Sequence, residues 1–109
     1  MSTDVRVVLV TAPDAGAAEA LARAVVEEGL AACANVLGGV LSIYRWEGEV
    51  HRDAEVLVVL KTTAARAPAL CERVAELHPY QVPEALVLPV DSGHAPYLDW
   101  VRAEVEGRP

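Results

Sequence analysis

The stretch from Ala32 to Thr62 holds two extended runs in tandem, and no other feature of the chain restricts its fold so strongly. The first run, Ala32 to Trp46, carries Gly38-Gly39 in its middle, where a bulge or bend is expected because glycine accepts backbone geometries that other residues resist. Beyond the glycines, Val40, Ser42, Tyr44 and Trp46 alternate with Leu41, Ile43 and Arg45, so both faces of that half carry bulky groups. Glu47-Gly48-Glu49 supplies a turn, and Glu55 to Thr62 (EVLVVLKT) returns as a second buried strand, which makes the pair a long hairpin. An arm from Val40 to Leu60 extends by about 3.3 Å per residue, farther than a small domain covers with its own helices. The physical expectation is an overlong ribbon completed by another chain.

The rest of the sequence fills in around this ribbon. Val5 to Val10 (VRVVLV) is an almost unbroken β-branched run, as in a central strand. Thr11 or Asp14 can cap the helix that follows, on which Ala17, Ala18, Leu21, Ala22, Val25 and Val26 form an apolar stripe ended by Gly29. A second helix is read from Thr63 onward, with Ala67, Leu70, Cys71, Val74 and Leu77 as its stripe and Pro68 in its first turn. Pro79 forces that helix to stop at His78, because proline disfavours helical geometry in the residue before it. A fourth strand, Ala85 to Val90, contains Pro89 and so belongs at an edge or a strand end. A terminal helix starts near Pro96 and buries Leu98, Val101 and Val105. The order βαββαβ with a helix appended is the ferredoxin-like α+β sandwich: one antiparallel sheet, two helices on one face, and here a single domain over residues 1–109. That topology serves many unrelated functions and selects none.

Composition narrows the partners. Nine basic against 16 acidic residues give a net charge of −7, which repels phosphate backbones and anionic membranes, so neither nucleic acid nor a membrane surface is an expected partner. With 53% hydrophobic residues but no run near the ~20 needed to span a bilayer, the chain reads as soluble, and it needs no metal or disulfide to fold. MSTDVRVV leads directly into a strand pattern without the basic and apolar regions of a signal peptide, which points to the cytoplasm. Cys33 and Cys71 are too few and too far apart for a disulfide framework, and both read as small buried hydrophobes.

The chemistry-bearing residues crowd into LHPYQVPE, residues 77–84. His78 can ligate copper or zinc through either ring nitrogen, or it can end a helix by bonding the last free carbonyls. No HxH, HxxxH or CxxC spacing brings it companions, and His51 and His94 read as solvated loop residues. Glu84 enters an apolar strand and is expected to pair with a cation such as Lys61 or Arg45. Lys61 can bind an anionic ligand or cap its strand. Tyr80, Tyr44 and Trp46 suit interface packing or the lining of a shared pocket, while Asn35 sits mid-strand where a bend offers it backbone partners. Asp91-Ser92-Gly93-His94 reads as a turn before a helix. No nucleophile elbow, phosphate loop or catalytic triad is present, and the chain reads as a non-enzyme.

Five segments together resemble one known family. TAPD (Thr11 to Asp14), LAACANVLGGVLSIYRWEGE (Leu30 to Glu49), KTT (Lys61 to Thr63), ELHPYQVPE (Glu76 to Glu84) and YLDW (Tyr97 to Trp100) look like the CutA proteins, the divalent-cation tolerance proteins, in order and over nearly the full length. The resemblance implies a ferredoxin-like protomer in a tight homotrimer whose hairpin strands join between subunits. It also implies a role in metal-ion tolerance, with Cu(II) or another divalent cation as ligand. With the polar residues at the element ends it gives Lys61, Tyr80, Glu84 and Trp46, and beside them Asn35, as candidates for a small ligand at inter-subunit clefts; His78 is the candidate metal donor, and Cys33, a separate thiol, a second. One departure stands out. In some family members a cysteine before TAPD and two adjacent histidines before the proline are proposed copper ligands; here these positions are Val10, Leu77 and His78, leaving one of the three. The alternative is a regulatory module resembling the PII-like trimers, with a small molecule or protein as partner.

Overall fold

A computed structural model describes residues 3–106. Its elements are β1 (Val5–Ala12), α1 (Ala15–Glu27), β2 (Cys33–Trp46), β3 (Glu49–Thr63), α2 (Ala67–Leu77), β4 (Leu86–Pro89) and α3 (Ala95–Val105). The four strands form one sheet in the order β2-β3-β1-β4, every neighbour antiparallel. This is the ferredoxin-like arrangement that the element order predicts.

The two β-branched runs take the centre. β1 pairs with β3 along all eight of its residues, from Val5 opposite Thr63 to Ala12 opposite Val56. Val8, Val10, Val56, Val58 and Leu60 turn to one face, where Ala18, Leu21, Ala22 and Val25 of α1 and Leu70 and Val74 of α2 cover them completely. Val5 is three residues from Val8, so the pleat sends it to the opposite face. There it packs with Ala32 and with Leu98, Val101 and Val105 of α3. Most of that second face stays open: Leu37, Leu86 and Leu88 are roughly half exposed beside the half-buried Val7, Leu9 and Val59.

Local chemistry sets the boundaries. The Asp14 carboxylate accepts the Ala17 amide at 2.8 Å and starts α1, so Asp14, not Thr11, is the cap. Gly29 follows α1 at φ +74°, the left-handed exit that glycine makes without strain. Thr63 is not helical, as the sequence pattern suggested; it is buried as the last residue of β3, opposite Val5, and α2 begins only at Ala67 with Pro68 in its first turn. Pro89 ends the short edge strand β4, where its missing amide hydrogen costs little.

The hairpin is longer than its apolar repeat. β3 starts at Glu49, six residues before the buried run, because Glu49 to Ala54 pair fully with Leu41 to Trp46 while remaining mostly exposed. Glu47 and Gly48, both at positive φ, form a two-residue turn whose twist suits paired strands. Between Leu37 and Val40 the register shifts where Gly38 and Gly39 sit, and Gly39 takes φ +79°: the bulge expected from the glycine pair. The arm draws the molecule out to 43 × 29 × 22 Å.

Candidate functional site

The exit from α2 is built around His78. Pro79 holds it at ψ 138°, outside helical space, and its ring turns back under the sheet, 7% exposed. Nε2 lies 2.6 Å from the Thr11 carbonyl, and Nδ1 accepts the Tyr80 amide at 3.1 Å. These partners define the tautomer: an amide donates to Nδ1, so the proton sits on Nε2 and is given to the carbonyl. The side chain therefore ties the α2–β4 loop to β1, and does not cap the last carbonyls of α2 as one sequence reading had it. Both nitrogens proposed as metal donors are engaged by the backbone.

Held this way, Tyr80 tilts across the imidazole with ring centroids 4.6 Å apart and extends its hydroxyl to Glu55, donating to Oε2 at 2.6 Å. Burial, and next the bond to Glu55, push the Tyr80 phenol well above its usual range. Glu55 is 9% exposed, a carboxylate closed in at the root of the arm. Two residues along β3, Asp53 accepts the Tyr44 hydroxyl at 2.5 Å, and that bond raises the Tyr44 phenol as well. Tyr44 also stacks on His51, its partner across the hairpin, at 5.3 Å and 18°. His51 is thus a strand residue in a ring stack and not a loop histidine.

These groups surround a cleft of about 640 Å³ between the arm and the α2–β4 loop. Thr11, Ser42, Tyr44, Trp46, Asp53, Glu55, Tyr80, Gln81 and Glu84 line it, with Ile43 and Val82. Among the described residues that line it, three are carboxylates and none is Lys, Arg or His. Of the candidate ligand residues, Trp46, Tyr80 and Glu84 do meet here.

Lys61 and Asn35 do not. Lys61 lies six residues beyond Glu55 on β3, roughly 20 Å at ~3.3 Å per residue, and its ammonium donates to the Asn35 side-chain oxygen. Asn35 accordingly bonds a side chain where a backbone partner was expected, and Glu84 has neither Lys61 nor Arg45 as an ion-pair partner: Arg45 reaches the Gly48 carbonyl at 3.5 Å. Cys33 pairs across the sheet with Lys61, and its Sγ lies 3.5 Å from the Tyr97 hydroxyl. That contact, followed by burial, raises the Tyr97 phenol to about 12. Cys33 and Cys71 are both free and half-buried. Among the described residues, no three His, Cys, Asp or Glu side chains are grouped to hold a metal. The described donors of one chain therefore do not by themselves form a site for a resident ion.

Sequence reasoning missed Glu55, Asp53 and Thr11. The available signal was Glu55 itself, the one acid at the head of an apolar alternating run, at a position where burial continues unbroken.

Comparison with known proteins gives a consistent picture. The family profile described as CutA1 divalent ion tolerance protein matches residues 6–104. The divalent-cation tolerance protein CutA of Thermus thermophilus is 53% identical over 96 residues, 88% of this chain and 93% of that protein. Protein CutA of Homo sapiens is 47% identical over 89% of this chain, which spans only 54% of the human protein. Among solved structures, CutA from Xylella fastidiosa superposes with a TM-score of 0.93 at 38% identity, covering 95% of this chain and all of that one. A structure from Archaeoglobus fulgidus described as a periplasmic divalent cation tolerance protein gives 0.90 at 29% identity, covering 94% of this chain and 99% of that one.

Proposed function

This chain belongs to the CutA1 divalent ion tolerance family, and on that premise we propose that it serves cation tolerance as a non-enzymatic homotrimer with ligand clefts shared between subunits. The observation that carries the reading is the cleft at the root of the arm, where Tyr80 is fastened to Glu55 and the lining bears three carboxylates without a base. An excess of carboxylate in a concave, aromatic-walled site favours a positively charged occupant.

The open sheet face and the arm support the assembly. Half-exposed Leu37, Leu86 and Leu88, with Ile43 and Val50 about two-thirds exposed along the arm, form more apolar surface than a lone small domain comfortably presents to water. Sister copies laid against that face and arm would cover it. They would also bring a second set of side chains to the cleft, so a divalent cation there takes donors from more than one copy. Copper is the weaker candidate, since thiolate and imidazole suit it best and the described lining offers carboxylate, hydroxyl and amide oxygen, donors suited to Mg(II) or Mn(II). Two free, separated thiols suit a reducing compartment, and we assign the protein to the cytoplasm. The regulatory alternative rests on topology alone.

Light scattering of the full chain at micromolar concentration, followed by calorimetric titration with Cu(II), Zn(II) and Mg(II), tests both parts. A trimer mass and a saturable heat from an oxygen-preferring ion are expected. A stable monomer would remove the shared cleft, and no heat from any ion at high protein concentration would remove direct metal binding.

A further inference from the structure

The cleft has a feature that metal chemistry leaves unexplained: its walls are aromatic. Tyr44, Trp46 and Tyr80 all line it, beside Asp53, Glu55 and Glu84. Within one protomer Trp46 and Tyr44 are each about 40% exposed, so part of each ring is open to whatever fills the shared cleft. A bare inorganic ion gains little from such walls and requires several converging donors, which the described residues of one chain do not supply. An alkylated ammonium gains from both halves of the lining. Its charge is attracted to the negative faces of the rings and to the carboxylates, while its carbon substituents fill apolar space.

Two further observations point the same way. Glu55 is nine-tenths buried, and the one hydrogen bond shown to its carboxylate is from the Tyr80 hydroxyl, a neutral donor. Among the described residues no cation pairs with this buried carboxylate, and a cationic occupant supplies such a partner. The Tyr80–Glu55 and Tyr44–Asp53 bonds also fix two carboxylates and two rings relative to one another before anything binds, which lowers the ordering cost of association. At about 640 Å³ the cleft lies within the range of small-molecule sites, roughly 300–1,000 Å³.

We propose that this cleft binds a small organic ammonium ion, held between the Trp46, Tyr44 and Tyr80 rings and neutralised by Glu55 and Glu84. The proposal rests on the reading of the cleft as the ligand site and adds the chemical class of the ligand. The probes are choline and 3,3-dimethylbutan-1-ol, which has the same shape with carbon in place of the charged nitrogen. In a Trp100→Phe background Trp46 is the sole tryptophan, so its emission reports on the arm side of the cleft. Choline should change that emission saturably, and the neutral analogue should bind about tenfold more weakly or worse. By calorimetry on the full chain in its native assembly, Trp46→Leu and Glu84→Gln should each weaken choline by about tenfold. Neither side chain is buried within one protomer, so folding should survive, and circular dichroism and light scattering check that fold and assembly do.

Equal affinity for the two probes, or no saturable response to choline in the folded protein, overturns the proposal. So does choline binding that neither variant weakens, since the ligand then sits elsewhere. Parallel titration with Mg(II) and Zn(II) separates the two readings. An ion that binds where choline does not overturns the ammonium proposal and leaves the metal reading standing; choline binding without heat from either ion does the reverse.

Discussion

Replacing His78 by alanine tests whether this ring is a strut or a ligand. In the structure the imidazole is 7% exposed and joins two backbone groups from distant parts of the chain, the Thr11 carbonyl at 2.6 Å and the Tyr80 amide at 3.1 Å. Alanine reaches neither. Each partner left unsatisfied in a part-buried site costs about 1–3 kcal/mol, and loss of the tilted contact with Tyr80 adds about 0.5–1 kcal/mol. Taking the lower half of the range for each backbone group, because water can enter beside the exposed Pro79, the expected loss is about 2.5–5 kcal/mol. That is a large part of the 5–15 kcal/mol that a domain of this size possesses.

The assay is urea unfolding at one fixed protein concentration, with and without EDTA. A structural ring predicts the same loss in both buffers and no effect of EDTA on the wild-type protein. A loss below about 1 kcal/mol would refute the hydrogen-bond reasoning. Chelator-sensitive stability in the wild type that disappears in His78→Ala would instead show that the ring gives up one of its backbone partners to a metal.

Three other outcomes follow from the same geometry. All three tyrosines of the chain are raised, Tyr44 chiefly by its bond to Asp53, Tyr80 chiefly by burial, and Tyr97, to about 12, chiefly by Cys33. A raised phenol favours the neutral form in the folded state, so this stabilisation is complete below the unfolded value of about 10 and is lost as pH rises through the folded values; absorbance titration near 295 nm should show no phenol ionising normally near 10 until the protein unfolds, and one that does would contradict the assignment. Gly39→Ala should cost about 1 kcal/mol in the same urea assay through its positive φ alone, while Gly38→Ala, with no positive φ and no atom within 4 Å of the added methyl group, should be neutral or slightly stabilising; equal effects at both positions would remove the bulge as the cause. Leu88→Glu on the open sheet face should lower the mass measured by light scattering without loss of secondary structure, and an unchanged mass would show that the assembly does not use this face.

The fold was legible where burial leaves a period in the sequence. Val5 to Val10 and Glu55 to Thr62 sit at the centre of the sheet, so their side chains are selected by packing and read as strands without context. The lower arm was harder to delimit because neither face is buried there: Glu49 to Ala54 mix charge with small and apolar residues, and only the hydrogen-bonded register shows them to be strand. Thr63 was illegible for a different reason: it is polar and follows the apolar run, yet it is buried opposite Val5 because β3 continues to pair with β1.

The site was half legible for a related reason. LHPYQVPE reveals itself by residue type, and its prolines do deliver Tyr80 and Glu84 to one cleft. The partners on β3 are chosen by register, which residue type does not encode. Glu55 meets the Tyr80 hydroxyl because it stands one pair above Val56 opposite Ala12, at the end of β1 where the α2–β4 loop crosses. Lys61, the residue that charge complementarity suggested for Glu84, stands at the other end of the same ladder, opposite Val7. Sliding β3 by six residues would be needed to bring it to the cleft, and that would expose Val58 and Leu60 from the core that fixes the ladder. The packing of β3 against α1 and α2 therefore keeps Lys61 at the far end of the ladder, and Arg45 turns to the Gly48 carbonyl, so neither cation that charge complementarity suggested for Glu84 reaches the cleft.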